Sequence, residues 1–137
     1  MAMQSHKTNA LIEKVQLIAT QTRALYKNGD YPDYQSFQIG QDLINAGRTS
    51  DLTNPFGGNL TVDTADSGVA FYVLAKNLPA ETCSDILTTD WGSPGVFHGI
   101  FVEDNTYTYP NGKYPIKTSD AVSVCKGGNK RVTWIFK

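Results

Sequence analysis

Leu11, Val15, Ile18 and Leu25, with Thr22 in step, recur at a 4-3-4-3 spacing that gathers them into one stripe of an α-helix, and Ile12, Ala19 and Tyr26 widen it. The pattern predicts a helix over 9–27. Thr8 or Asn9 can cap its start, and Asn28-Gly29 closes it, because glycine accepts the left-handed conformation that ends a helix and Pro32 prevents resumption. A stripe of this width serves either a subunit's own core or a surface that meets neighbouring subunits, and both readings stand on the sequence.

Residues 29–58 read as a connector broken by one short helix, with Ser36 as its cap, Phe37, Leu43 and Ile44 as its apolar side and Ala46-Gly47 as its stop. Asn54-Pro55-Phe56-Gly57-Gly58 is a turn. Its glycine pair lacks the Gly-Lys-Ser/Thr and the following helix of a phosphate-binding loop. Residues 60–62 and 68–75 then form a hairpin across 63–67. In the second run Val69, Phe71 and Val73 alternate with Ala70, Tyr72 and Leu74, so both faces are apolar and the strand is expected to be central and covered on both sides. Asp63 and Asp66 do not follow the alternating spacing of a calcium loop, which leaves turn chemistry as their reading.

Residues 79–88 predict a short helix that carries Cys83, with Pro79 at its first turn. A strand is expected over 96–103. It contains His98, read as structural because no second ligand or base accompanies it. Residues 104–114 read as loop and 119–126 as a brief helical or extended stretch with Cys125. The closing run 131–137 alternates so that Val132, Trp134 and Phe136 share one face, suited to a strand packed on the first helix.

At 137 residues and 40% hydrophobic content the chain supports one domain with a single core. Its net charge of −1 conceals a segregation. Four bases and twelve acids lie in residues 28–125, for a net −8, while the two ends carry eight bases and one acid, for a net +7. A basic edge of one subunit could therefore meet an acidic face of another. No run of eighteen apolar residues occurs, so the residues given do not cross a membrane as a helix. Met1-Ala2-Met3 lacks the apolar centre of a signal peptide and reads as the start of an excised piece, with residues 1–6 expected to be foreign or irregular.

Cys83 and Cys125 are not a CxxC pair, and neither a zinc-type Cys/His cluster nor an activating His in sequence accompanies them, so a disulfide is favoured over two free thiols. There is no Gly-x-Ser-x-Gly elbow around Ser93, no His-Glu-x-x-His and no Gly-x-Gly-x-x-Gly, and the acids are scattered, which argues against an enzyme. Asn59-Leu60-Thr61 is formally a glycosylation sequon.

The run Leu11 to Tyr26, the segment Leu43-Ile44-Asn45-Ala46-Gly47, the turn Asn54 to Gly58, and Cys125 followed by Val132-Thr133-Trp134-Ile135-Phe136 together resemble the bacterial type IVb pilins, specifically the PilS-type major pilins of enterobacterial type IV pili. The likeness covers nearly everything from residue 9 onward and rests on the order of several moderate motifs. It implies an α+β fold: a long N-terminal amphipathic helix packed on an antiparallel β-sheet, a connector, and a C-terminal region bounded by a Cys83–Cys125 disulfide. The cleaved leader and apolar half-helix of a pilin do not lie in these residues, which suggests a soluble, N-terminally truncated form that is monomeric as given.

The function implied is structural. Subunits would polymerise, through the N-terminal helix segment not contained here, into an extracellular filament used for adhesion to host cells and self-association, after membrane anchorage on the periplasmic side of the inner membrane. No cofactor, metal or nucleic acid is implied, and a host-cell receptor is a possible partner. Leu11, Val15, Ile18, Arg23 and Lys27 are the expected subunit contacts. Trp91, Tyr107, Tyr109 and Tyr114 are the expected exposed binding loop, whose aromatic rings would equally suit a secreted carbohydrate- or protein-binding module. A minor pilin or secretion pseudopilin is the third reading.

Overall fold

The computed structural model of the chain describes the backbone of residues 2–103, 105–108 and 113–137, and their side chains except those of 2–5, 67 and 106–108. Helix α1 (Ala2–Leu25) is followed by α2 (Gln38–Asn45), strands β1 (Thr61–Ala65) and β2 (Ala70–Leu78), helix α3 (Ala80–Leu87), strands β3 (Phe97–Val102) and β4 (Asn105–Thr108), helix α4 (Thr118–Val124) and strand β5 (Lys130–Phe136). The strands form one antiparallel sheet in the order β1-β2-β5-β3-β4. The expected α+β architecture is thus observed.

Strand register explains where the core sits. Residues opposite one another on neighbouring strands share a face, so Val62, Val73, Trp134 and Ile100 form one row across β1, β2, β5 and β3. Thr64, Phe71, Phe136 and Phe97 form the next. Every one of these side chains is buried. Phe71 stacks on Phe136 at 5.5 Å between ring centroids, and Phe97 tilts against Phe136 at 5.4 Å. Over this face lies the α1 stripe: Leu11, Val15, Ile18 and Thr22 are fully buried and Ile12, Leu25 and Tyr26 pack at its margin. Thr22 returns its hydroxyl proton to the Ile18 carbonyl, 2.7 Å away, so that its polar group is satisfied inside the core.

Four expectations change. Helix α1 begins at Ala2, not near Asn9, so residues 2–6 are helical and Thr8 is no cap; its hydroxyl lies buried 2.8 Å from that of Thr82 and ties α1 to α3. Residues 105–108, read as loop, pair with β3 as the edge strand β4. Strand β2 is central but covered fully on one face and only in part on the other: Phe71 and Val73 are buried, while on the outer face Ala70 is buried and Tyr72 and Leu74 are half-buried, and Val69 lies before the strand and is exposed. The start of α2 is marked by Phe37 in a left-handed conformation, with Ser36 Oγ accepting the Gln38 N–H at 3.3 Å.

The connector wraps the open edge of β1. Thr64 donates to the Pro32 carbonyl at 2.6 Å, on the core side, while the Phe37 N–H reaches Asp63 Oδ1 at 3.3 Å, on the outer side. An edge strand covered in this way cannot template pairing with another sheet. Lys14 of α1 holds the later connector through Thr49 Oγ1 at 3.1 Å and Asp51 Oδ1 at 3.3 Å. Tyr26 donates its hydroxyl to Asp42 Oδ2 of α2 and packs on Tyr31, which in turn packs on Phe71.

Burial and the neighbouring Asp42 carboxylate hold the Tyr26 phenol above the ordinary tyrosine range. Burial does the same for Tyr31 and Tyr72. A group that keeps its proton more tightly when folded contributes stability below its unfolded pKa of 10.0 and loses it as pH rises above that value. Urea midpoints are therefore expected to hold level to pH 9 and fall by pH 11. Tyr26→Phe should shrink that fall, and an identical fall in the variant would remove Tyr26 as its source.

Candidate functional site

Cys83 lies within α3, and Cys125 stands directly after α4. The two helices pack side by side and bring the Cα atoms to 5.7 Å, where the sulfurs are joined as a disulfide, so no free cysteine is present. Both cysteines are buried, and the bridge closes a segment of 42 residues against α1 and the sheet. It ties α3 to the end of α4 within the core.

The residues expected to meet neighbouring subunits divide into three groups. Leu11, Val15 and Ile18 are fully buried under the subunit's own sheet, so the core reading of the α1 stripe is the correct one and these side chains have no surface to offer. The reason is the sheet's inner face: its two rows of buried side chains need an apolar cover, and α1 is the element that supplies it. The outward side of α1 presents Glu13, Gln16, Leu17 and Thr20 instead. Lys27 is exposed.

Arg23 is occupied within the subunit. Its Nε donates to the Lys137 carbonyl at 3.0 Å and its Nη2 to the Val96 carbonyl at 3.3 Å, while the guanidinium lies 5.7 Å above the Phe136 ring. Burial lowers its pKa, partly offset by Tyr31. It therefore fastens the end of β5 to the residue before β3. Arg23→Gln is expected to lower stability by about 1–2 kcal/mol, read as a shift in the urea midpoint, with Lys27→Glu leaving that midpoint in place. Equal midpoints for wild type and Arg23→Gln would show the clamp to be idle.

The expected aromatic binding loop is not assembled as an exposed surface. Trp91 is 6% exposed and Tyr114 7%. Trp91 donates Nε1–H to the Ile86 carbonyl at 2.8 Å, meets Trp134 edge-on at 5.4 Å, and gives its backbone N–H to the Tyr114 hydroxyl at 3.2 Å. Tyr114 also packs on Phe97 at 5.2 Å. Both rings are thus core supports beneath the disulfide region, because each has a polar tip that finds a partner when buried. The Tyr107 side chain and Tyr109 lie outside the described residues.

Sequence reasoning did not single out the outer face of the sheet. There the rows Asp63, Tyr72, Ile135 and Thr61, Leu74, Thr133 run across β1, β2 and β5. Tyr34 of the connector, 61% exposed, stands beside them and bounds a groove of about 560 Å³ whose floor is Tyr72, Leu74, Thr133 and Ile135. Period-two alternation in β2 and β5 was the available signal, since each strand has apolar residues on both faces. Among the described residues no group of three His, Cys, Asp or Glu could hold a metal ion, and no helix is long and apolar enough to cross a membrane.

Residues 5–137 match the family model described as PilS N terminal. No curated protein matches by sequence. Among solved structures the fold is similar to that of the type IVb pilin from Salmonella typhi, at a TM-score of 0.72 and 23% identity, covering 92% of this chain and 97% of that one. It is similar also to TcpA, a type IV pilin from Vibrio cholerae El Tor biotype, at a TM-score of 0.68 and 15% identity, covering 96% of this chain and 99% of that one. The family match covers nearly the whole chain, and the chain belongs to the PilS family, with the fold of a type IVb pilin.

Proposed function

We propose that this chain is the globular head of a structural subunit that polymerises into an extracellular type IVb pilus, used for adhesion to host cells and for self-association. The family match over residues 5–137 carries the reading. The geometry supports it in two ways. The head is a finished building block, since its core is closed by α1 and its α3 is stapled to the end of α4 by Cys83–Cys125. Its charges are segregated along the chain, as suits copies that dock head to tail in an open-ended contact, which builds a filament when the rotation does not close.

In this reading the subunit waits in the inner membrane, anchored by an apolar helical segment continuous with α1, and its head faces the periplasm, where the disulfide forms. The test is deletion of the gene in its natural host, followed by electron microscopy and a cell-adhesion assay. Filaments labelled by antibody to the head should disappear with the gene and return with the complementing copy. Labelled filaments persisting in the deletion strain would overturn the structural role, and filament loss with undiminished adhesion would overturn the adhesive one.

A further inference from the structure

The groove on the outer face of the sheet combines apolar and acidic features in a way that selects its occupant. Leu74 and Ile135 are aliphatic, Tyr34 and Tyr72 offer ring faces, and Asp66 stands at the rim. Behind this lining lies Asp63, on the same face of β1 and opposite Tyr72 in register. It is fully buried; its Oδ1 takes the Phe37 N–H, but Oδ2 has no hydrogen-bond partner. A buried carboxylate oxygen left without a donor is costly, and a cation brought close to it recovers part of that cost. The groove lining itself holds no base, and Lys76, the nearest on the outer face of β2, stands one outward position beyond Leu74.

A long aliphatic stem ending in a positive charge fits such a place: the stem lies on apolar surface and the head reaches the acid at the rim. The chain carries that chemistry at the opposite end of the same sheet. Lys126 and Lys130 flank Gly127-Gly128-Asn129, three successive residues with positive φ that turn the backbone sharply before β5. Their neighbour Arg131 is already paired with Glu103 at 3.7 Å. Lys130 pairs with Leu78, whereas Ile135 of the groove pairs with Tyr72. Loop and groove are therefore separated along β5 by roughly 17 Å at about 3.3 Å per residue. A lysine of this loop does not reach the groove of its own molecule, and the match is available only between copies.

We propose that the outer-face groove receives a lysine from the 126–130 loop of a second copy of this chain, its stem on Leu74 and Ile135 between Tyr34 and Tyr72 and its ammonium beside Asp66 at the rim, with the buried Asp63 carboxylate adding its charge from beneath. The contact joins unlike surfaces, so it repeats without closing, as a filament requires. This inference rests on the filament reading and adds to it the two surfaces that meet.

The experiment uses the full-length subunit in cells that assemble it. A photo-crosslinking amino acid at Leu74 should join one subunit to residues 126–131 of another. Crosslinks confined to any other segment, or to a different protein, would overturn the proposal. Lys126→Glu with Lys130→Glu should cut filament yield about tenfold or more, because like charges are brought together, while the melting temperature of the soluble head stays in place. Adding Asp66→Lys to that pair should restore part of the yield. Undiminished yield in the double variant would sink the contact while leaving the filament reading intact; a wild type that forms no filaments would sink the filament reading itself.

Discussion

Removing the Cys83–Cys125 bridge, by reductant or by replacing both cysteines with serine, is expected to lower the melting temperature of the soluble head by about 15 °C. The link spans 42 residues. In the chain-entropy picture, closing a loop of that size removes enough freedom from the unfolded chain to be worth about 4 kcal/mol. A domain of this size is stable by only about 5–15 kcal/mol, so the loss takes a large share of it. The folded side adds to the effect. Both cysteines are buried, so two serines would carry unpaired hydroxyls into an apolar region where α3 meets α4. Thermal melts followed by circular dichroism, with and without dithiothreitol, measure it. Coincident melts would mean that the core alone holds the disulfide region, and that Trp91, Tyr114 and the Thr8–Thr82 contact suffice to anchor it.

The parts of the fold that were legible in the sequence are those where a single face is buried. The α1 stripe and the alternation of β5 each show one clean period, because the helix has its core on one side and Val132, Trp134 and Phe136 all turn inward. The cysteine pair was legible for a different reason, as two sulfurs with no competing partner. Where periodicity is blurred the reading went astray. Helix α1 starts earlier than its apolar stripe because the positions in step with that stripe before Leu11, Thr8 and Gln4, are polar, so hydrophobic pattern could not find the first turns. Strand β4 is short and polar, Asn-Thr-Tyr-Thr, and its pairing with β3 is a tertiary fact that local composition does not carry.

The candidate site was less legible than the fold. Apolar residues on both faces of β2 predicted a covering layer on each side, but only the connector reaches the outer side, and it leaves the groove beside Tyr34. Asp63 read as turn chemistry, although register places it inside β1 and under Phe37. Aromatic residues in a loop suggested a binding surface. Trp91 and Tyr114 are instead drawn inward by hydrogen bonds to Ile86, to Thr89 and to each other, a choice composition cannot reveal.

The assignment of the α1 stripe to the core can be separated from assembly by comparing two adjacent side chains. Ile18 is 0% exposed and Leu17 is 42% exposed, on opposite sides of one helical turn. Ile18→Ala removes three carbons from a close-packed site and leaves a cavity under the sheet, at an expected cost of about 2–5 kcal/mol. The urea midpoint of the isolated head should fall accordingly. Leu17→Ala alters a side chain that lies outside the buried core and should move that midpoint by no more than about 0.5 kcal/mol equivalent. In full-length subunits the order of effects on filament yield carries the separate information: any loss caused by Leu17→Ala arises between subunits, whereas loss from Ile18→Ala follows from the weakened head. An Ile18→Ala head as stable as wild type would return the stripe to the outside of the molecule. It would also require a different cover for Trp134 and Phe136, whose burial at the centre of the sheet depends on a helix lying where α1 lies.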